Sequence, residues 1–122
     1  MKAVGFKTSL PISDPNSFIE FETEKTSPAG HELLVKIKAI AVNPVDFKIR
    51  QNAAKDTILE QPKIIGWDAT GVVAAVGDNV TRFKVGDEVY ARVSDYRIGT
   101  FAEYISIDEN DVALKPKKLS ME

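Results

Sequence analysis

Hydrophobic and polar residues alternate with a period of two along much of this chain, and that alternation predicts strands. Ala3-Val4-Gly5-Phe6 reads as a short opening strand. Ile19 and Phe21 then alternate with Glu20, Glu22 and Glu24, the pattern of one buried and one wet face. Ser27-Pro28-Ala29-Gly30 is a turn, because Pro and Gly each fix backbone geometry. The next strand sets Val35, Ile37 and Ala39 against Lys36 and Lys38. Further along, Val72 to Val76 is a continuous apolar run, suited to a strand buried on both faces. After the Gly77-Asp78-Asn79 turn, Gly86-Asp87 opens a strand with Val89, Ala91 and Val93 on one face. Ser94 to Gly99 reads as a polar loop, Ile105 and Ile107 flank Ser106 in another strand, and Val112-Ala113-Leu114 is the last.

One segment breaks the alternation. Asn43-Pro44 predicts a helix start: the Asn side-chain oxygen can accept from an orphan helix N–H, and Pro at the first helical position gives up no bond. Asp46 in the first turn suits the positive end of the helix dipole. The helix is expected from Pro44 to about Asn52, with Gln51 to Lys63 following as an irregular loop. Many short strands and one small helix make a mainly β chain, a barrel or a sandwich. At the other end, Leu119-Ser120-Met121-Glu122 resembles the start of a helix, with Ser120 as N-cap and Leu119 as hydrophobic staple. The expectation is a chain that continues beyond Glu122.

Composition narrows the function classes. The 122 residues suffice for one domain with a single core. Sixteen basic and eighteen acidic side chains give a net charge of −2, so no broad basic surface for nucleic acid is implied. Lys115-Pro116-Lys117-Lys118 reads as a solvated loop. With no cysteine, disulfides, thiolate zinc sites and a cysteine nucleophile are excluded. No apolar run approaches the roughly 20 residues of a membrane helix, and Lys7 interrupts the first one too early for a signal peptide. A soluble cytoplasmic protein, with no nucleic-acid or membrane partner, is the expectation.

Several motifs lead nowhere. Gly66 to Gly71 has the glycine spacing of a P-loop, but Val72-Val73 stand where Lys and Ser/Thr are required. No Gly-x-Gly-x-x-Gly fingerprint is present, and no Gly-x-Ser-x-Gly nucleophile elbow. His31, the only histidine, sits beside a turn and reads as an exposed polar residue. A zinc ion prefers nitrogen and sulfur ligands, which this chain scarcely offers.

Other segments carry a resemblance. Asn43-Pro44-Val45-Asp46, the run Gly66-Trp67-Asp68-Ala69-Thr70-Gly71 on to Gly77, Gly86-Asp87-Glu88-Val89 and Gly99-Thr100-Phe101-Ala102-Glu103-Tyr104 together resemble the catalytic domain of the medium-chain dehydrogenase/reductase superfamily. From the opening strand to Ser120, the order of segments is similar to the GroES-like domain of the zinc-type alcohol dehydrogenase and quinone oxidoreductase families. The resemblance implies a partly open GroES-like β-barrel over residues 1–122, with one or two short helices, and a Rossmann nucleotide-binding domain expected after residue 122. Where zinc-dependent relatives carry a cysteine and a Gly-His-Glu, this chain has Asn43 and Gly66-Trp67-Asp68, and the cysteine-rich lobe for a structural zinc is missing. The implied protein is therefore a zinc-independent, NADPH-dependent oxidoreductase of quinones, enones or related carbonyls. Its cofactor would be held mainly by the other domain, and dimers in this superfamily form through that domain.

By the same resemblance, Asn43, Val45 and Asp46 lie at the mouth of the cleft between the domains, although Asn43 and Asp46 also read as a cap and a first-turn acid. Lys48 stands where many quinone oxidoreductases have a tyrosine near the nicotinamide. It could neutralise charge on a reduced oxygen, or be a surface helix lysine. Trp67 can fill an empty metal cavity and offer a flat wall to substrate, or simply pack. Tyr96 either lines the same cleft or is an exposed loop aromatic, while Tyr104 reads as structural. Two alternatives from other classes stand beside this reading: a stand-alone β-barrel binding or assembly module, and a zinc alcohol dehydrogenase domain.

Overall fold

A computed structural model describes residues 1–93 and 98–122. Eight strands and one α-helix follow in the order β1 (Lys2–Phe6), β2 (Ile19–Glu22), β3 (Glu32–Ala41), α1 (Pro44–Asn52), β4 (Lys63–Ile64), β5 (Asp68–Val76), β6 (Glu88–Arg92), β7 (Tyr104–Asp108) and β8 (Val112–Leu114). A 3-10 turn, Glu109–Asp111, separates the last two strands. The strands form a three-stranded sheet, β2-β1-β4, and a five-stranded sheet, β7-β3-β5-β6-β8. A single bridge between Ala3 and Ala102 links the first sheet to the segment before β7. The result is mainly β and open, not a closed barrel, in keeping with the GroES-like expectation.

The alternation places the strand faces as expected on β2, β3, β6 and β7. Leu33, Val35, Val73, Val89, Ile105 and Ile107 form the main core beneath the five-stranded sheet. A second cluster of Phe6, Ala54 and Ile65, flanked by Phe18, Ile49 and Phe101, holds α1 against the smaller sheet. The helix spans Pro44–Asn52, the bounds read from its cap and composition.

Three expectations need correction. The run Val72–Val76 does not have both faces covered: Val73 is fully buried, whereas Ala74 and Val76 are exposed. β5 is central in the hydrogen-bond ladder, between β3 and β6, but only one face of that sheet meets the core, and an apolar run cannot distinguish the two situations. The segment Gln51 to Lys63 ends in the short β4, whose Ile64 pairs with Gly5, a contact set by β1 and not by local pattern. Lys115 is not a solvated loop residue. Its side chain is 8% exposed, and its Nζ lies 3.4 Å from Glu88 Oε2 and donates to the carbonyls of Pro116 and Leu119. Leu119 is exposed, and the Thr70 hydroxyl donates to the Met121 carbonyl, which sets that residue against β5. The Ser94–Gly99 loop falls largely outside the described residues.

His31 keeps an exposed ring yet has a partner. Its Nδ1 is 2.9 Å from Oε2 of Glu109, a buried carboxylate whose Oε1 also accepts from the Thr81 and Arg82 backbones and from Arg82 Nε. One carboxylate thus ties three turns together. The His31 hydrogen bond is the main reason its carboxyl is held below its ordinary value, with the Thr81 and Arg82 bonds adding to it against the opposing effect of burial. A lowered folded-state value means this group stabilises the fold above the ordinary carboxylate value of 4.5, and that contribution fades as the pH falls through the lowered one. Glu109→Gln should lower the urea midpoint at neutral pH, and the gap from wild type should close on acidification. A gap independent of pH would show that the charge contributes nothing.

Candidate functional site: the start of the helix and the cleft beside it

The site grows from a register. In the β3–β5 ladder, Ala41 pairs with Asp68, and in the β5–β6 ladder Asp68 pairs with Arg92. The chain leaves β3 at Ala41, so Asn43 arrives beside the first residue of β5. Asn43 Nδ2 donates to Asp68 Oδ2 at 2.7 Å, a contact across 25 positions of sequence. Trp67 precedes Asp68, and its backbone carbonyl accepts from Val93 N at 2.7 Å. The preceding residues Ile64, Ile65 and Gly66 accept from Gly99, Phe101 and Thr100. The Arg92 guanidinium stands 5.9 Å from the centroid of the Trp67 ring.

The helix start carries a reciprocal capping box, with Asn43 as the cap residue expected from the sequence. Asn43 has extended backbone geometry, and its side-chain oxygen faces the Asp46 backbone N–H. Asp46 completes the box by reaching back, its Oδ2 accepting from Asn43 N at 2.8 Å. The Asn43 amide nitrogen, which capping does not use, donates to the Asp68 carboxylate, and a bond to an ionised acceptor is about twice as strong as a neutral one. Asp46 is 1% exposed, and its other oxygen, Oδ1, has no partner among the described residues. Removing a capping side chain costs about 0.5–2 kcal/mol, so Asp46→Ala should destabilise the fold by about 1 kcal/mol. An unchanged thermal midpoint would show that this bond is dispensable.

Trp67, Asp68, Thr70, Tyr90 and Arg92 line a cleft of about 780 Å³, closed on one side by Met121 and Glu122. That volume lies within the usual range for small-molecule sites, roughly 300–1,000 Å³. Of the residues singled out in the sequence, Trp67 lies in this lining, and Asn43 adjoins it through Asp68. Asp46 is buried behind Asn43, Val45 is exposed at the helix start beside exposed Val42 and Phe47, and Lys48 is exposed on α1 outside the cleft lining. Tyr96 lies outside the described residues. Tyr104 sits half-buried with Lys25 Nζ 4.6 Å from its ring centroid. Sequence reasoning missed Asp68 and Arg92 as site residues. The available signal was their polar character beside Trp67 and at a strand end, but the pairing that unites them is long-range.

The Asn43 amide, the Trp67 indole and the Asp68 carboxylate, bonded to that amide, are poor in the nitrogen and sulfur ligands that zinc prefers, and Asp111 and Glu122 add only carboxylates to the cleft. Among the described residues there is no group of three His, Cys, Asp or Glu side chains that could hold a metal ion. Nor is any helix among them long and apolar enough to cross a membrane.

An open β domain with a short capped helix at its strand ends, bordering a small-molecule cleft, is the architecture of a medium-chain dehydrogenase/reductase catalytic domain. The profile of the alcohol dehydrogenase GroES-like domain matches residues 29–117, and the chain belongs to that family. It is 42% identical over its whole length to a zinc-type alcohol dehydrogenase-like protein of Staphylococcus epidermidis, covering 35% of that protein. Over 94 residues, or 72% of the chain and 24% of the relative, it is 44% identical to the chloroplastic NADPH-dependent alkenal/one oxidoreductase of Arabidopsis thaliana. Among solved structures, a putative zinc-dependent alcohol dehydrogenase from Rhizobium etli superposes with a TM-score of 0.92 at 47% identity, over 99% of this chain and 34% of that one. Quinone oxidoreductase from Escherichia coli, complexed with NADPH, gives 0.82 at 25% identity, over 99% and 35%. The chain thus spans about a third of the length of the Staphylococcus and Rhizobium relatives.

Proposed function

We propose that this domain is the substrate-side half of an NADPH-dependent reductase of quinones, enones or related activated carbonyls, working without zinc. The observation that carries this reading is the Asn43–Asp68 hydrogen bond beside Trp67, a set of side chains poor in the nitrogen and sulfur ligands that zinc prefers, which supports a metal-free site. Support for the substrate class comes from the alkenal/one and quinone oxidoreductases among its relatives. Conjugated acceptors suit such a site, because they spread incoming negative charge onto an oxygen that hydrogen-bond donors or a cation can meet.

NADPH, when bound, supplies the hydride. The residues of this chain shape the surroundings. Trp67 offers a flat apolar wall that excludes water, with Arg92 beside it as a positive charge. Asn43 and Val45 border the mouth, Asp46 fixes the helix start beneath them, and Lys48 offers a second cation on the same helix. Tyr96 belongs to this proposed lining on sequence grounds alone. A nucleotide-binding domain forms the opposite wall, since bringing donor and acceptor to about 3–3.5 Å requires both sides of a cleft.

The test is NADPH oxidation with a simple quinone and with a 2-alkenal, using the whole protein with and without a metal chelator. Turnover that survives the chelator is expected, and the 122-residue chain alone should be inert. Activity abolished by the chelator and restored by zinc would overturn the metal-free reading. Robust turnover by the isolated chain would overturn the need for a second domain.

A further inference from the structure

Asn43 is fixed at three points. Its backbone N–H donates to Asp46 Oδ2, its backbone carbonyl accepts from Asp46 N at 2.9 Å, and its side-chain nitrogen donates to Asp68 Oδ2. The first two hold the main chain and leave the side-chain dihedrals free. Asp68 holds the donor end of the carboxamide, while the oxygen end faces the Asp46 backbone N–H in the capping box. A carboxamide has a donor end and an acceptor end of nearly equal shape, and a carboxylate accepts only the donor end. Against Asp68, the flipped amide would set two acceptor oxygens at hydrogen-bond distance. The nitrogen is thereby committed to the cleft wall that Asp68 helps to form. One of its two N–H groups is used there, and the second has no partner among the described residues.

We propose that Asp68 is a positioning residue: it turns the Asn43 carboxamide so that this second N–H faces an acceptor oxygen of a ligand in the cleft. Asn43 then acts as a donor to a carbonyl or quinone oxygen. Asp68 touches no reacting atom, and its effect passes through Asn43. This inference rests on the reductase reading for its reaction. The orientation itself does not depend on that reading.

Two measurements separate them. In the 122-residue chain, the two side-chain amide protons of Asn43 are observed by nitrogen-15 NMR. One is expected to be shifted and protected from exchange by the charged acceptor, and Asp68→Ala should remove both signatures. An Asn43 amide signal indifferent to Asp68→Ala would overturn the positioning. In the whole protein, kcat and KM are measured with NADPH and a 2-alkenal. Asp68→Ala should lower kcat about tenfold, Asp68→Glu should recover much of it, and Asn43→Asp, which keeps the shape but loses the donor, should lose about a hundredfold or more. An Asp68→Ala protein with a lowered melting temperature and full kcat would reduce the bond to a structural tie and overturn the proposal. A wild-type protein that reduces no quinone or alkenal sinks the reductase reading instead, and the amide signals then decide the positioning alone.

Discussion

Gly66→Ala is expected to lower the stability of this domain by about 3–5 kcal/mol, a large share of the roughly 5–15 kcal/mol that holds a typical domain folded. The backbone of Gly66 has φ of +110°, a conformation that L-residues rarely adopt. A Cβ placed there would stand 2.2 Å from Thr100 Oγ1, 2.7 Å from a Phe101 ring carbon and 2.9 Å from Thr100 N. Strain and overpacking each cost about 1–3 kcal/mol, and here neither can be relieved without the other. Thr100 is buried and bonded through its backbone to the Gly66 carbonyl, which holds the obstructing segment in place. Trp67, the sole tryptophan, is the next residue and reports the transition by its fluorescence. A urea midpoint within error of wild type would show that the turn relaxes, and the close-approach argument would fail.

Phe6→Ala is expected to cost about 3–5 kcal/mol as well, by a different route. Phe6 is 0% exposed and central to the smaller cluster, between Ala54 at the end of the helical segment and Ile65 just before the site. Truncation leaves a cavity under α1, while the Leu33–Val73–Val89 core beneath the other sheet is untouched. The loss should therefore fall first on the helix. Amide exchange in Pro44–Asn52 should accelerate more than in β3 or β5, and the Asn43 signals should broaden with it. Ile58→Ala is the matched control, since Ile58 is 76% exposed and should change stability by less than about 0.5 kcal/mol. Equal losses in both variants, or uniform acceleration across both sheets, would show that the two clusters are not separable.

Both predictions concern how the helix start is held, and there the reach of sequence reasoning can be judged residue by residue. The helix bounds Pro44–Asn52 were legible because capping is local: an extended residue before Pro, with an acid in the first turn, admits few other conformations. Which further bond the cap residue makes was not legible. Asn43 caps through its oxygen, as its type suggests, while its amide nitrogen donates to a carboxylate 25 positions away. Likewise, Lys115 looks like one of three solvated lysines until β6 brings Glu88 to it.

The sequence by itself determined seven of the eight strands, the short helix, the family and the absence of thiol ligands, because period-two patterning, cap chemistry and composition are carried by neighbouring residues. The tertiary structure alone decided that β5 is covered on one face, that Glu109 ties three turns together, and that Asp68 stands between Asn43 and Arg92. These rest on the register between strands distant in the chain, and a single residue's slip in pairing would exchange every partner while leaving the local pattern almost unchanged.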